Sequence, residues 1–186
     1  MQILKQITNF VETKIKNIMK KFIVLICCIA LGFVAKAQKL EGSVDVLLNE
    51  SRVDFELSFA KASIHGMSEA AFAKYEQDWH KDMPEIIGYF LNDLNDEING
   101  LVRFGSYPTA KYKLVVEVIE VSVGGDLDSD VYLLDNSGNT VAKISGLVGK
   151  GGLWGTKLYL IKQGASHSGE ILGELLHKTL KKKAKK

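Results

Sequence analysis

The stretch VDFELSF, residues 53–59, alternates apolar and polar side chains without exception. Side chains of a β-strand point to opposite faces in turn, so one face of this segment is wholly apolar and the other is polar. A strand with that pattern covers a core on one side and meets water on the other. It therefore predicts a sheet with one buried face, against which helices can pack.

A shorter alternation of the same kind lies just ahead of this strand. Val44, Val46 and Leu48 fall on one face of an extended chain, and Asn49-Glu50-Ser51 suits a short connection. The two segments together predict a β-hairpin over residues 44–59.

Helical spacing begins near residue 68. Ser68 is a favourable N-cap residue with an acid directly after it. The apolar side chains that follow recur every three to four residues: Phe72, Tyr75, Trp79 and Met83. Pro84 suits the first turn of a second helix, and Asn99-Gly100 suits its C-terminal end. The region therefore predicts two consecutive helices.

The second half of the sequence predicts further strands. Tyr112–Val123 is rich in β-branched residues. Its alternation shifts near Val118 and Ile119, which favours either a bulge or a strand covered on both faces. Val131–Leu134 and Val141–Ile144 flank the turn sequence DNSGN and predict a hairpin.

The C-terminal segment predicts one more strand and then a helix. Lys157–Ile161 fits the strand, and Ser168 would cap the helix. The buried stripe of that helix would consist of Ile171, Leu172, Leu175, Leu176 and Leu180. Hairpin-linked strands and grouped helices predict the α+β class, an antiparallel β-sheet with helices packed on one face. Residues 38–180 would form this single domain, followed by a basic tail at 181–186.

An unbroken apolar run, Phe22–Ala35, precedes the domain. Two lysines stand before it and Ala35-Lys36-Ala37 ends it, which is the layout of a secretory signal peptide. The run has 14 residues, fewer than the roughly 20 that a membrane-spanning helix needs. We therefore predict a signal peptide over residues 1–37, cleavage after Ala37, and a periplasmic or outer-envelope location in a Gram-negative bacterium.

The translation start and the two cysteines both lie within the predicted signal peptide and affect its interpretation. Translation begins either at Met19, which gives an ordinary signal sequence, or at Met1, which adds an amphipathic extension. Both cysteines, Cys27 and Cys28, lie inside the apolar run. The exported chain would therefore contain no disulfide, catalytic thiol or cysteine-bound metal. Ile26 before Cys27 also argues against lipidation.

Charge is distributed unevenly along the exported chain. Residues 38–177 carry 12 basic and 21 acidic side chains, a net charge of −9, while residues 178–186 carry six lysines and no acid. An acidic body argues against nucleic-acid binding, which needs cations to displace counterions. The lysine tail suits contact with acidic lipid headgroups or with an acidic partner.

The glycine-rich stretch SGLVGKGGLWGTKLYL, residues 145–160, matches neither phosphate-binding fingerprint. A P-loop requires Ser or Thr after Gly-Lys, and here Gly151 follows Lys150. A dinucleotide-binding turn requires a third glycine where Trp154 stands, and a helix where a strand is expected. Two interpretations remain: a sheet connection that needs glycine at positive φ, or an exposed loop whose Leu153, Trp154 and Lys150 bind a partner.

The segment Gly164-Ala-Ser-His-Ser-Gly169 raises the question of a nucleophilic serine. A nucleophile elbow would need glycine where Ser168 stands, and His167 is too close to Ser166 in sequence to act as its base. Helix capping is the favoured interpretation. The alternatives are a hydrolase that uses Ser166 with a distant histidine, and an anion site at a helix N-terminus formed by Ser166, Ser168 and Lys162.

Two acidic segments contain candidate metal ligands. Asp126-Leu-Asp-Ser-Asp130 begins like a calcium loop, but Val131 and Ser137 stand where glycine and glutamate belong. A looser calcium site or a solvated acidic turn remains. In Asp78-Trp-His-Lys-Asp82 the histidine has no second histidine four residues on. The sequence therefore predicts no metal site and no cofactor.

The motifs Ser63-Ile-His-Gly-Met-Ser68 and Asp78-Trp-His-Lys-Asp82, behind a signal peptide, resemble small exported α+β proteins of Gram-negative bacteria, many of them uncharacterised. That resemblance implies export and an α+β domain, and it implies no catalytic residue. The function expected from the residues is a non-enzymatic, periplasmic or envelope-associated domain that binds a protein, a peptide or an envelope component. The alternatives are a hydrolase with an unidentified site and a structural or assembly factor of the envelope.

Overall fold

The computed structural model describes residues 38–184. The predicted signal peptide, the two alternative start sites and the cysteine pair lie outside these residues, as do Lys185 and Lys186. The expectations attached to them stay predictions.

Eight strands, three α-helices and one 3-10 helix make up the described part of the chain. In chain order they are β1 (Lys39–Gly42), the 3-10 helix (Asp45–Asn49), β2 (Arg52–Ser58), β3 (Ser63–Ile64), β4 (Met67–Ser68), α1 (Glu69–Tyr75), α2 (Trp79–Ile98), β5 (Arg103–Gly105), β6 (Tyr112–Val121), β7 (Leu127–Asp135), β8 (Thr140–Gly149) and α3 (Lys157–Ala184).

All eight strands belong to one sheet, in which six follow the order β1-β8-β7-β6-β2-β5. The pairs β1–β8, β8–β7 and β7–β6 are antiparallel, as expected. Strand β2, however, runs parallel to both of its neighbours, β5 and β6. The predicted α+β class is confirmed, but the sheet is mixed, because the chain passes through α1 and α2 before it returns beside β2.

One face of the sheet is buried under helices, as the alternating strand predicted. Val53 and Leu57 of β2 lie in the core, together with the inward-facing side chains of β6, β7 and β8. The polar residues of β2 face the other side, where Glu56 pairs with Lys113 at 2.6 Å. Helices α2 and α3 contribute Phe90, Leu94 and several leucines to the same core.

Two irregular features of the sheet, a bulge and a turn, agree with what the sequence predicts. The register between β6 and β7 shifts at Ile119, between Val118 and Glu120, and so confirms the bulge alternative. In the β7–β8 hairpin, the Asp135 carboxylate accepts hydrogen bonds from the amides of Ser137 and Asn139, at 2.9 and 2.8 Å. The predicted DNSGN turn is therefore confirmed.

The strand predicted over Val44–Leu48 is wrong. Residues Asp45–Asn49 form a 3-10 helix, and the fully buried side chains are Val44 and Leu47 rather than every second residue. A short run with four apolar residues in five contains both a two-residue and a three-residue period, so pattern alone does not decide between strand and helix.

The break between the first two helices lies earlier than predicted. Ser68 caps α1 as expected, since its hydroxyl accepts the Ala71 amide at 3.3 Å. The helix then ends at Tyr75, and α2 begins at Trp79, so Pro84 lies inside α2 and not in its first turn. Trp79 is fully buried and packs edge-on against Phe72, with ring centroids 5.1 Å apart, which requires the chain to turn before it.

The strand at Lys157–Ile161 and the helix start at Ser168 are both wrong. A single helix, α3, runs from Lys157 to Ala184, and Ser168 is buried in its middle. The lysines at 181–183 form its last turn, where cations are favoured by the helix dipole. None of the helices within residues 38–184 combines the length and hydropathy that a membrane span requires.

Candidate functional site

Four connections meet at one end of the sheet, which we call the loop end. They are the β3–β4 turn, the segment after α1, the β6–β7 turn and the β8–α3 loop (150–156). The His65 amide donates to the Val121 carbonyl at 2.9 Å, and Lys157 Nζ donates to the Tyr75 hydroxyl at 2.6 Å. Backbone and side-chain contacts therefore hold the four connections together.

The loop end carries most of the exposed large apolar side chains of the described residues. Leu153 and Trp154 are 92% and 86% exposed and stand side by side in the β8–α3 loop. The others at this end are Val123, Tyr75 and Tyr159. The structure thus places Leu153 and Trp154 in solvent, not under the sheet.

The backbone of the β8–α3 loop is set by close packing at its base. A Cβ on Gly151 would lie 1.9 Å from the Gly124 carbonyl oxygen, so this position requires glycine. Gly155 has a φ of 137°, and Thr156 then caps α3 by accepting the Tyr159 amide at 3.2 Å. The loop leads from a strand into a helix, and packing and turn geometry account for its glycines.

Two side chains fix the first residues of this loop. Asp126, in the β6–β7 turn, accepts the Gly151 amide at 2.8 Å and pairs with Lys150 Nζ at 2.9 Å. His167, on α3, accepts the Lys150 amide through Nδ1 at 2.9 Å. Burial alone would raise the pKa of Asp126, but the Gly151 amide and the Lys150 ammonium outweigh it and hold that pKa below its ordinary value.

The β3–β4 turn contains a histidine in an unusual conformation. His65 has a φ of 51°, and its ring packs edge-on against Phe72 with centroids 5.2 Å apart. Burial, followed by the nearby Lys157 charge, lowers the pKa of His65, so the ring stays neutral at pH 7. His65 and Gly66, with φ of 51° and 78°, form the two-residue turn between β3 and β4, as a type I′ hairpin requires. A histidine at the first of these positions is not one of the usual hairpin residues, so the sequence does not predict this turn.

The other predicted site residues lie along α3. Ser166 donates its hydroxyl to the Asp93 carboxylate on α2, and Ser168 is fully buried beside Gly149. Lys162 pairs with Asp82 at 2.9 Å and also with Glu85. Ser166 and Lys162 thus tie α3 to α2, whereas the buried Ser168 hydroxyl has no hydrogen-bond partner within the described residues. All three residues lie within α3, so the prediction that Ser168 begins a helix after a strand is wrong.

Carboxylates of the two acidic segments with candidate metal ligands form ion pairs and hydrogen bonds within the protein. Asp126 holds Lys150 and Gly151, Asp130 pairs with Lys143 at 2.7 Å, and Asp82 pairs with Lys162. Within residues 38–184, no group of three or more His, Cys, Asp or Glu side chains is arranged to hold a metal ion.

Comparison with known proteins gives no family. No family model and no curated protein matches the chain. Among solved structures, the PelC dodecamer of Paraburkholderia phytofirmans is 15% identical, with a TM-score of 0.44, and the match covers 75% of this chain and 96% of that one. A single-substitution variant of that dodecamer gives 18% identity and a TM-score of 0.41, with the same coverage. Both TM-scores are below 0.5, so no property of PelC is carried over.

Proposed function

We propose that this protein is an exported, envelope-associated, non-enzymatic domain that binds a protein or peptide partner through its loop end. The observation that carries the proposal is the exposure of Leu153 and Trp154, 92% and 86%, at adjacent positions of one loop. Apolar side chains exposed together mark interaction sites, and tryptophan is among the residues that contribute most to binding energy.

The first two residues of the β8–α3 loop are held in place, which supports partner binding by the loop. Burying a side chain such as Leu or Trp in a partner's pocket contributes about 1.5–3 kcal/mol, less the entropy lost on ordering it. Three hydrogen bonds and ion pairs already hold Lys150 and Gly151 in place. Part of the ordering cost is therefore met before a partner arrives.

The charge around the loop favours an apolar contact over an electrostatic one. Lys150 is neutralised by Asp126, and Lys157 lies over the Tyr75 ring, 4.1 Å from its centroid. The body of the exported chain carries a net charge of −9 over residues 38–177. A polyanion would be repelled by this body, whereas an apolar pocket on a protein would accept the two side chains.

Site-specific photo-crosslinking tests the proposal. A photoreactive phenylalanine analogue at position 154 should crosslink one protein in cells, whereas the same group at Leu48, an exposed leucine outside the loop end, should not. Trp154→Ala should then abolish co-purification of that protein, and Leu48→Ala should retain it.

Two results would contradict the proposal. One is equal crosslinking from positions 154 and 48. The other is Trp154-dependent sedimentation with lipid vesicles in the absence of any crosslinked protein, which would identify a membrane surface as the ligand.

A further inference from the structure

The two outermost strands of the sheet, β1 and β5, differ in whether their free edge is covered. In β5, the Arg103 amide donates to the Ser51 carbonyl at 3.1 Å, so Arg103 faces β2 and Phe104 faces outward. Asn95 on α2 accepts the Phe104 amide at 2.9 Å and donates to the Phe104 carbonyl at 3.0 Å. Both backbone groups that could bind a further strand are occupied, and the sheet is closed at β5.

Strand β1 has an open edge. It pairs with β8, and among residues 38–184 no other backbone hydrogen bond reaches Lys39–Gly42. The free amides and carbonyls of an edge strand are a template for pairing with another strand. A cleft between the start of β1 and α3 also contains two half-buried apolar side chains, those of Ile171 and Leu175. An open edge with apolar side chains beside it indicates a protein interface.

The side chains of β1 divide between the two faces of the sheet. Leu40 lies opposite Ile144, which is buried, so Leu40 is on the face that the helices cover. Lys39 and Glu41 lie on the other face, where their side chains are 73% and 54% exposed and pair with each other at 2.7 Å. A lysine on an edge strand usually discourages pairing with another strand. Here the acid two residues further on gives β1 opposite charges, which a second copy of β1 can match.

Charge selects one register for such a pair. Directly opposite residues of an antiparallel pair share a face, so a twofold-symmetric pair with all helices on one side is centred on residue 39, 40 or 41. Centring on Lys39 or on Glu41 places like charges opposite each other, which is destabilising. Centring on Leu40 places Lys39 of each copy opposite Glu41 of the partner subunit. Of the three registers, only this one pairs opposite charges.

We propose that two copies of this protein pair through the free edges of β1, antiparallel and centred on Leu40, to form one continuous sheet with twofold symmetry. The two leucines then meet on the helix-covered face, and two lysine–glutamate pairs form across the other face. Because Asn95 closes the edge at β5, the assembly stops at two copies and does not grow into a fibre. The interface does not use Leu153 or Trp154, so this proposal is independent of the proposed function.

Sedimentation equilibrium of the purified protein tests the pairing. The wild type should show a monomer–dimer equilibrium with no larger species. Lys39→Glu places glutamates opposite glutamates, and Glu41→Lys places lysines opposite lysines, so each should raise the dissociation constant about tenfold. An equimolar mixture of the two variants pairs opposite charges again and should recover the wild-type constant within about threefold. Recovery in the mixture also shows that both variants are folded.

Two further variants separate this interface from other surfaces. Lys81→Glu changes the charge of an exposed lysine on α2 and should leave the dimer unchanged, as should Trp154→Ala. The proposal is overturned if the wild type stays monomeric at its highest soluble concentration, if Lys39→Glu alone dimerises like the wild type, or if the mixture does not recover the dimer. A dimer lost in Trp154→Ala would place the contact at the loop end instead. A failed crosslink at position 154 with an intact dimer would reject the proposed function alone.

Discussion

At the scale of single residues, Asp126 fixes the position of the first residues of the β8–α3 loop. It accepts the Gly151 amide at 2.8 Å and pairs with Lys150, which is itself exposed. Exposed ion pairs contribute little, so Asp126→Asn should lower the free energy of unfolding by about 0.5–1 kcal/mol at pH 7. Urea denaturation measures this difference.

The pH dependence of that difference has a definite sign. Because folding lowers the pKa of Asp126, its contribution is present above the ordinary value of 3.8 and is lost as pH falls through the folded value. Wild type and Asp126→Asn should therefore converge in stability as pH falls below 3.8. A stability difference that stays constant from pH 7 down into the acid-unfolding range would contradict the assigned role of the charge.

At the scale of elements, the glycines of α3 decide how closely the two long helices approach. A Cβ on Gly169 would lie 2.2 Å from the Phe90 carbonyl oxygen on α2. Overpacking against backbone typically costs 1–3 kcal/mol, so Gly169→Ala should lower the unfolding free energy by about that amount. Chemical denaturation at pH 7 provides the measurement.

Gly88 on α2 is the matched control for this substitution. It lies in a helix like Gly169, but a Cβ there would meet nothing within 4 Å. Gly88→Ala should therefore stabilise the protein by about 0.5–1 kcal/mol through helix propensity alone. If the two substitutions shift stability equally, close helix packing is not what requires Gly169.

The elements that could be predicted from the sequence are those whose structure depends on neighbouring residues alone. Strands with a strict two-residue period, such as residues 53–59, and turns with specific chemistry, such as DNSGN, follow from local rules. The segment at 164–169 has small polar residues and two glycines, which favour a turn locally, yet contact with α2 makes it helical. Whether this segment forms a turn or a helix depends on its contact with α2. That contact is between residues far apart in sequence, so the local pattern does not predict it.

The candidate site could be predicted from the sequence only in part. The sequence marked Leu153 and Trp154 as a possible anchor, but not whether they are buried. Their exposure depends on where Asp126 and His167 hold the loop, and both lie far from it in sequence. The serine candidates at 166 and 168 depended on a helix start that the structure does not have.

At the scale of the whole molecule, the loop end and the basic C-terminus lie at opposite ends of α3. This helix has 28 residues and is therefore about 42 Å long, at 1.5 Å per residue. Near its end, Lys183 pairs with Asp45 at 2.8 Å and Lys178 pairs with Glu174, so part of the basic charge is already balanced. A partner held at Leu153 and Trp154 would not need the lysines.

This separation predicts how binding of the crosslinked partner should respond to two changes. Trp154→Ala should weaken it at least tenfold, whereas deletion of residues 181–186 should change it less than twofold, because sites so far apart act independently. Raising the salt concentration from 0.1 to 0.5 M should also have little effect, since an apolar contact is not screened. Titration of the purified partner, followed by calorimetry, measures all three. If the deletion or the salt abolishes binding instead, the lysine end is the binding surface, and an acidic partner or anionic lipid replaces the apolar pocket.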